Sequence, residues 1–220
     1  VRYAMGSLMY FAQGIPQGLL AIAIPAWLAS EGLGASEIGS YLAIVALPWA
    51  FKLLTGPLMD HFEFLPMGKR RPWVLAAQFG MVVSLLSLMW LDDPVAQIGL
   101  LTTIGFVINA FTATQDVAVD GMSIDLVPVD EEGRLNAFMS FGKTIGWAIT
   151  SAVTGTMLVV FGMKLTALVC ATVAAAIFVY LVMVRERHTE RLLPWSKGEA
   201  SPKNEPPPAF RKVFSDLNQI

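Results

Sequence analysis

Lys52, Asp116, Asp120 and Lys143 are the residues best equipped for chemistry, and each lies in an apolar setting: AIVALPWAFKLLTG, INAFTATQDVAVDG and FMSFGKTIGWAIT. An ammonium can hold an anion, and a carboxylate can take up and release a proton. Asp116 and Asp120 are four positions apart, so a helix puts both on one face. A desolvated carboxylate beside another binds a proton more readily than one in water, as a proton carrier requires. On insertion scales each charge costs about 2.5–3.5 kcal/mol at the centre of a lone membrane helix. Four are tolerable only if they meet one another, water or a ligand. Two readings stand here. One is structural ion pairing, Asp116–Lys143 or Asp120–Lys52, that clamps helices; the other is a solute and proton site at mid-membrane, with the aspartates exchanging the proton.

The elements that must position these residues are membrane helices. Of 220 residues, 55% are hydrophobic and 15% charged, against about 25% charged in soluble domains, and the mean hydropathy is +0.59. The expected fold class is therefore an all-α integral membrane protein whose main partner is the lipid bilayer. The net charge of −2 says nothing about partners, and no basic cluster with interleaved aromatics points to nucleic acid, so none is expected as a partner. A single cysteine, Cys170, forbids an intrachain disulfide. With His61 and His188 in polar connectors, no metal site is expected. Val1 opens almost directly onto an apolar run, which reads as a clipped N-terminus and not as a signal peptide.

Six apolar runs are long enough to cross a bilayer, at about 4–30, 36–59, 72–91, 95–123, 135–161 and 164–184. They form one bundle over 1–184. If the N-terminus is cytoplasmic, that side carries Arg2, Lys69, Arg70, Arg71, Arg134 and every basic residue of the tail, while the other carries only Lys164. That asymmetry predicts both ends in the cytoplasm. Residues 185–220 read as a charged, proline-rich cytoplasmic linker, with AFRKVFSDLNQI resuming a helical pattern.

Four runs carry polar stripes at helical spacing. Asn109, Thr112, Asp116, Asp120 and Ser123 share one face; Asn136, Ser140, Lys143, Trp147, Thr150 and Thr154 share another. Tyr10, Gln13 and Gln17 mark the first run, and Tyr41, Pro48, Lys52 and Thr55 the second. The third and sixth runs look featureless and lipid-facing. At about 1.5 Å per residue, all four charges fall near the middle of a core about 30 Å thick. The QGIPQG segment, Pro25 and Pro48 are expected to break or bend their helices. Gly142, Gly146, Ser151 and Gly155 offer small faces for close helix contact.

The connector GPLMDHFEFLPMGKRRPW resembles the signature loop of the major facilitator superfamily, through Gly56, Asp60, Gly68, Lys69, Arg70 and Arg71. Its long Asp60–Gly68 interval, with His61 after the aspartate, is similar to the branch of AmpG-type muropeptide permeases and acetyl-coenzyme A transporters. PWAFKLLTGPLMD, ATQDVAVDG with Gln115, and QGIP match that branch as well. The resemblance implies the N-terminal six-helix half of a twelve-helix transporter, with a C-terminal half still to be supplied. It also implies a central cavity lined by the first, second, fourth and fifth helices. Gly56, Asp60, Gly68, Lys69, Arg70, Arg71 and Arg134 would act as a conformational latch.

The expected function is accordingly proton-coupled import of an anionic or sugar-peptide solute, such as a muropeptide, across a bacterial inner membrane. Asp116 and Asp120 would carry the proton. Gln13, Gln17, Lys52, Asn109, Gln115, Lys143 and Trp147 would bind the solute. No cofactor is needed beyond the proton gradient. An acyl-coenzyme A carrier is the alternative within the superfamily. A membrane receptor would need a signalling domain, and an intramembrane enzyme would want carboxylates on facing helices or histidines in a span.

Overall fold

The computed structural model describes residues 2–62, 65–126, 128, 130–183, 191–193 and 195–196. Most of the expected linker, and all of the resuming helix, fall outside these residues. The described residues are overwhelmingly helical, with no strand among them.

The first rod is α1 (Arg2–Gly18), a π-helical segment (Leu19–Ala23) and α2 (Ile24–Ser30) in continuous succession. The second is α3 (Ala35–Ala46), a 3-10 segment (Leu47–Phe51) and α4 (Lys52–His61), bent by 46°. α5 (Arg71–Ser87) runs on through a 3-10 turn to Trp90, and α6 spans Ile98–Leu126. α7 (Glu132–Met183) is broken at Gly162, whose φ of 78° and ψ of −178° suit glycine alone. Four of the described helices are long and apolar enough to cross a membrane, or five if the bent α3–α4 pair is one span.

Contacts fix the directions. Gly6 faces Leu135 and Met139, and Gly18 faces Trp147 and Ser151, so α1 runs parallel to the first arm of α7. The Gln78 amide nitrogen donates to Ala174 O at 2.9 Å, and Arg71 donates to Val182 O at 2.8 Å, so the second arm runs antiparallel to α5. That arm starts at the opposite end of the bundle, where Lys164 pairs with Asp92 at 2.7 Å and holds its carboxyl below the usual range. The chain therefore reverses at Gly162 with no loop. The 135–161 and 164–184 runs expected as two helices meet at this one residue.

Between helices in lipid, burial gives little hydrophobic gain, and association rests on close packing. α1 and α7 meet through glycines. A Cβ on Gly14 would lie 2.5 Å from Trp147 N, and one on Gly146 would lie 2.5 Å from Phe11 O. Gly142 is equally tight against Ser7, whereas nothing lies within 4 Å of a Cβ on Gly155. The third rod departs from the featureless reading. Gln78 is fully buried and ties α5 to the second arm of α7, and Arg71 is only 4% exposed.

Candidate functional site

The breaks in the first two rods are satisfied by specific side chains. In the π register Ile24 N bonds Leu19 O, and the next donor, for Leu20 O, would be residue 25. Pro25 has no N–H, and the Tyr41 hydroxyl takes Leu20 O at 3.1 Å instead. Asn109 Nδ2 donates to Val45 O at 2.7 Å, just ahead of the 3-10 segment that contains Pro48. A 3-10 turn winds roughly 20° more per residue than an α-helix, so the five-residue segment re-aims the next helix by about 100°. Lys52, the first residue of α4, is delivered to α6 by that rotation.

There it meets both aspartates. Lys52 Nζ contacts Asp116 Oδ2 directly and lies 3.3 Å from Asp120 Oδ2. Lys143 Nζ, from the first arm of α7, approaches the other Asp116 oxygen at 3.4 Å. The Tyr10 hydroxyl of α1 donates to Asp120 Oδ1. Aromatic faces cover the lysines: Lys143 Nζ is 5.3 Å from the Tyr10 ring centre and 5.1 Å from that of Trp49, and Lys52 Nζ is 6.0 Å from Trp49. An ion contact near 3.3 Å is worth about 5 kcal/mol at an effective dielectric of about 20. Each contact joins two charges, whose insertion costs roughly 5–7 kcal/mol together, so a contact about offsets its own pair. Lys52 and Asp116 make two contacts each, and no charge of the four is alone.

The cluster is graded from closed to open. Side-chain exposure is 2% for Asp116, 27% for Lys143, 34% for Lys52 and 40% for Asp120. Its two positive and two negative charges cancel.

The other expected solute residues divide. Gln13 is fully buried, and neither atom of its amide has a hydrogen-bond partner among the described residues. It adjoins Gly14, which packs on Lys143 and Trp147, so it lies at the depth of the cluster. An amide so placed demands a water or a solute group. Trp147 is 41% exposed one turn beyond Lys143, and Gln17 is half-buried. Gln115 faces away, donating to Gln78 on α5, and Asn109 serves Val45. Among the described residues no group of three His, Cys, Asp or Glu could hold a metal ion.

At the end of the bundle that holds Arg70, this residue pairs with Asp60 at 2.5 Å, and its guanidinium rests on Gly121, where a Cβ would lie 2.8 Å from Nε. Gly68 turns the connector with φ 101°. Arg71 goes elsewhere. It binds the carbonyls of Val182 at 2.8 Å, Leu192 at 2.8 Å and Arg191 at 3.3 Å, closing the C-terminal end of α7. Lys69 is half-buried, Arg134 is exposed on the first turn of α7, and a Cβ on Gly56 would lie 3.9 Å from Val117, an ordinary contact.

A family model described as Major Facilitator Superfamily matches residues 6–218. The chain belongs to the Major Facilitator Superfamily. Similar proteins include the anhydromuropeptide permease of Escherichia coli (strain K12), 30% identical over 149 residues, 68% of this chain and 30% of that protein. Putative transporter AmpG 4 of Rickettsia felis (strain ATCC VR-1525 / URRWXCal2) is 26% identical over 183 residues, 81% of this chain and 44% of that protein. The matches thus span less than half of these relatives' lengths. Family and apolar helices together make this an integral membrane protein.

For this superfamily member, sequence reading overlooked Trp49, Gln78 and Gly121, and placed Tyr10 on a stripe without its carboxylate partner. Trp49 stands three positions before Lys52, a spacing that was legible. Gln78, a lone amide in an apolar run, was visible too. Gly121 carried no signal, since its importance depends on where Arg70 falls.

Proposed function

We propose that this chain is one half of a secondary active transporter working by alternating access, which imports an anionic sugar-peptide of the muropeptide class together with protons. The single observation that carries this is the self-neutralised cluster of Lys52, Lys143, Asp116 and Asp120, open on one side. Protonation of a carboxylate releases an ammonium, and the solute's own carboxylate replaces the lost counter-charge. Proton and anion then load together, which is the chemistry of a symporter. Trp49 and the exposed Trp147 offer faces on which a sugar ring can lie. The relatives' names support the muropeptide class. A second six-helix half would complete the cavity, and the Asp60–Arg70 pair would act as the latch. The basic residues of the connectors support a bacterial inner-membrane orientation with both ends in the cytoplasm.

Uptake of labelled anhydromuropeptide by the full-length protein in membrane vesicles tests this. Lys52→Ala removes a charge-assisted contact worth about 1.5–3 kcal/mol, so the apparent KM should rise roughly ten- to a hundredfold. An unchanged KM removes Lys52 from the solute site. Uptake of acetyl-coenzyme A with none of the muropeptide would move the protein to the acyl carriers.

A further inference from the structure

We infer that Asp120, with the Tyr10 hydroxyl beside it, takes up and releases the transported proton, while Asp116 stays ionised as the fixed anchor of both lysines. This rests on the proton-coupled reading above and decides between the two carboxylates.

Their surroundings differ although they are one turn apart. Asp116 is 2% exposed and has an ammonium on each oxygen, so neutralising it would leave two positive charges facing a neutral group. Asp120 is 40% exposed and, among the described residues, holds a single ammonium, at 3.3 Å. The charged and titratable groups near it come from several elements. Tyr10 comes from α1, Lys52 from α4 and Asp116 from its own helix. Among the described carboxylates, Lys143, from α7, reaches Asp116 alone. Arg70, leading into α5, lies on the adjacent Gly121 but is engaged by Asp60. The 3-10 segment adds the uncharged Trp49 ring against the lysines.

The step balances simply. A hydronium ion gives up one O–H bond, a carboxyl O–H forms on Asp120, and water leaves. Lys52 keeps its proton but loses one of its two counter-ions. The cluster passes from zero to one positive charge, matching one carboxylate of the solute. Tyr10 donates to Asp120 while that residue is ionised and accepts from it once protonated, so its own protonation state never changes.

The full-length protein in proteoliposomes, with labelled anhydromuropeptide as probe, separates gradient-driven accumulation from solute exchange at equilibrium. Asp120→Asn should lose accumulation and pH dependence, with exchange reduced less than about tenfold. Asp116→Asn should lose exchange as well, because both lysines are released. Asp120→Glu should keep accumulation, and Tyr10→Phe should keep it with a displaced pH midpoint. Accumulation by Asp120→Asn, or coupling lost with exchange intact in Asp116→Asn, overturns the assignment. Should Asp120→Asn fail to insert, an inserted Asp120→Glu without accumulation overturns it equally. Wild-type uptake indifferent to collapse of the proton gradient defeats the coupled-import reading itself, an outcome read before any variant.

Discussion

Lys52 serves two carboxylates while Lys143 serves one, and that asymmetry gives the cluster an open and a closed side. At this scale polar side chains in the bundle act in two ways. Some hold charge between the helices. Others repair backbone that a proline or a change of helix type has left unpaired, as Tyr41 does for Leu20 and Asn109 for Val45. The second group can be tested apart from transport. Tyr41 is 1% exposed, so Tyr41→Phe strips a buried carbonyl of its donor at a cost of about 1–3 kcal/mol. Thermal denaturation in detergent should show lower stability, with solute affinity close to wild type.

Among the elements, α1 and the first arm of α7 are the pair that glycine brings closest. Their contact carries Tyr10 and Lys143 toward α6 together. Gly146→Ala would drive a methyl group into the Phe11 backbone, 2.5 Å away, and backbone cannot swing aside as a flexible side chain can. A loss of about 1–3 kcal/mol is expected, the usual range for overpacking. Gly155→Ala meets nothing within 4 Å and should leave the melting temperature equal or slightly higher, since alanine favours a helix over glycine. Equal effects of the two substitutions would show that the close approach does not matter.

Over the whole molecule, the ion pair at one end and the charge cluster share a turn of α6, because Arg70 rests on Gly121 beside Asp120. Gly121→Ala displaces only the end of a flexible side chain, so the fold should survive. The Asp60–Arg70 pair should weaken. A partly exposed ion pair is worth up to about 1 kcal/mol, which shifts a balance between two conformations roughly fivefold. Exchange rate should therefore change severalfold while solute affinity barely moves. A change in affinity alone would disconnect the Asp60–Arg70 pair from the proposed conformational exchange.

Much of this was legible in one dimension. The apolar runs, the depth of the four charges and their tendency to pair come from hydropathy and rise per residue, which are local quantities. The stripe on α6 was read correctly as far as Asp116 and Asp120. Gln115, one residue away, turns to Gln78 because adjacent helical positions point about 100° apart. Linear spacing could not reveal how far each rod rotates before meeting its neighbour. Lys52 reaches α6 only after the 3-10 segment has added about 100° of rotation, and Tyr10 finds Asp120 only in the register set by the glycine contact with α7. Hydrophobicity places charges at a depth in the bilayer; helix rotation and close packing decide which charge faces which, and only those leave Asp116 sealed and Asp120 open.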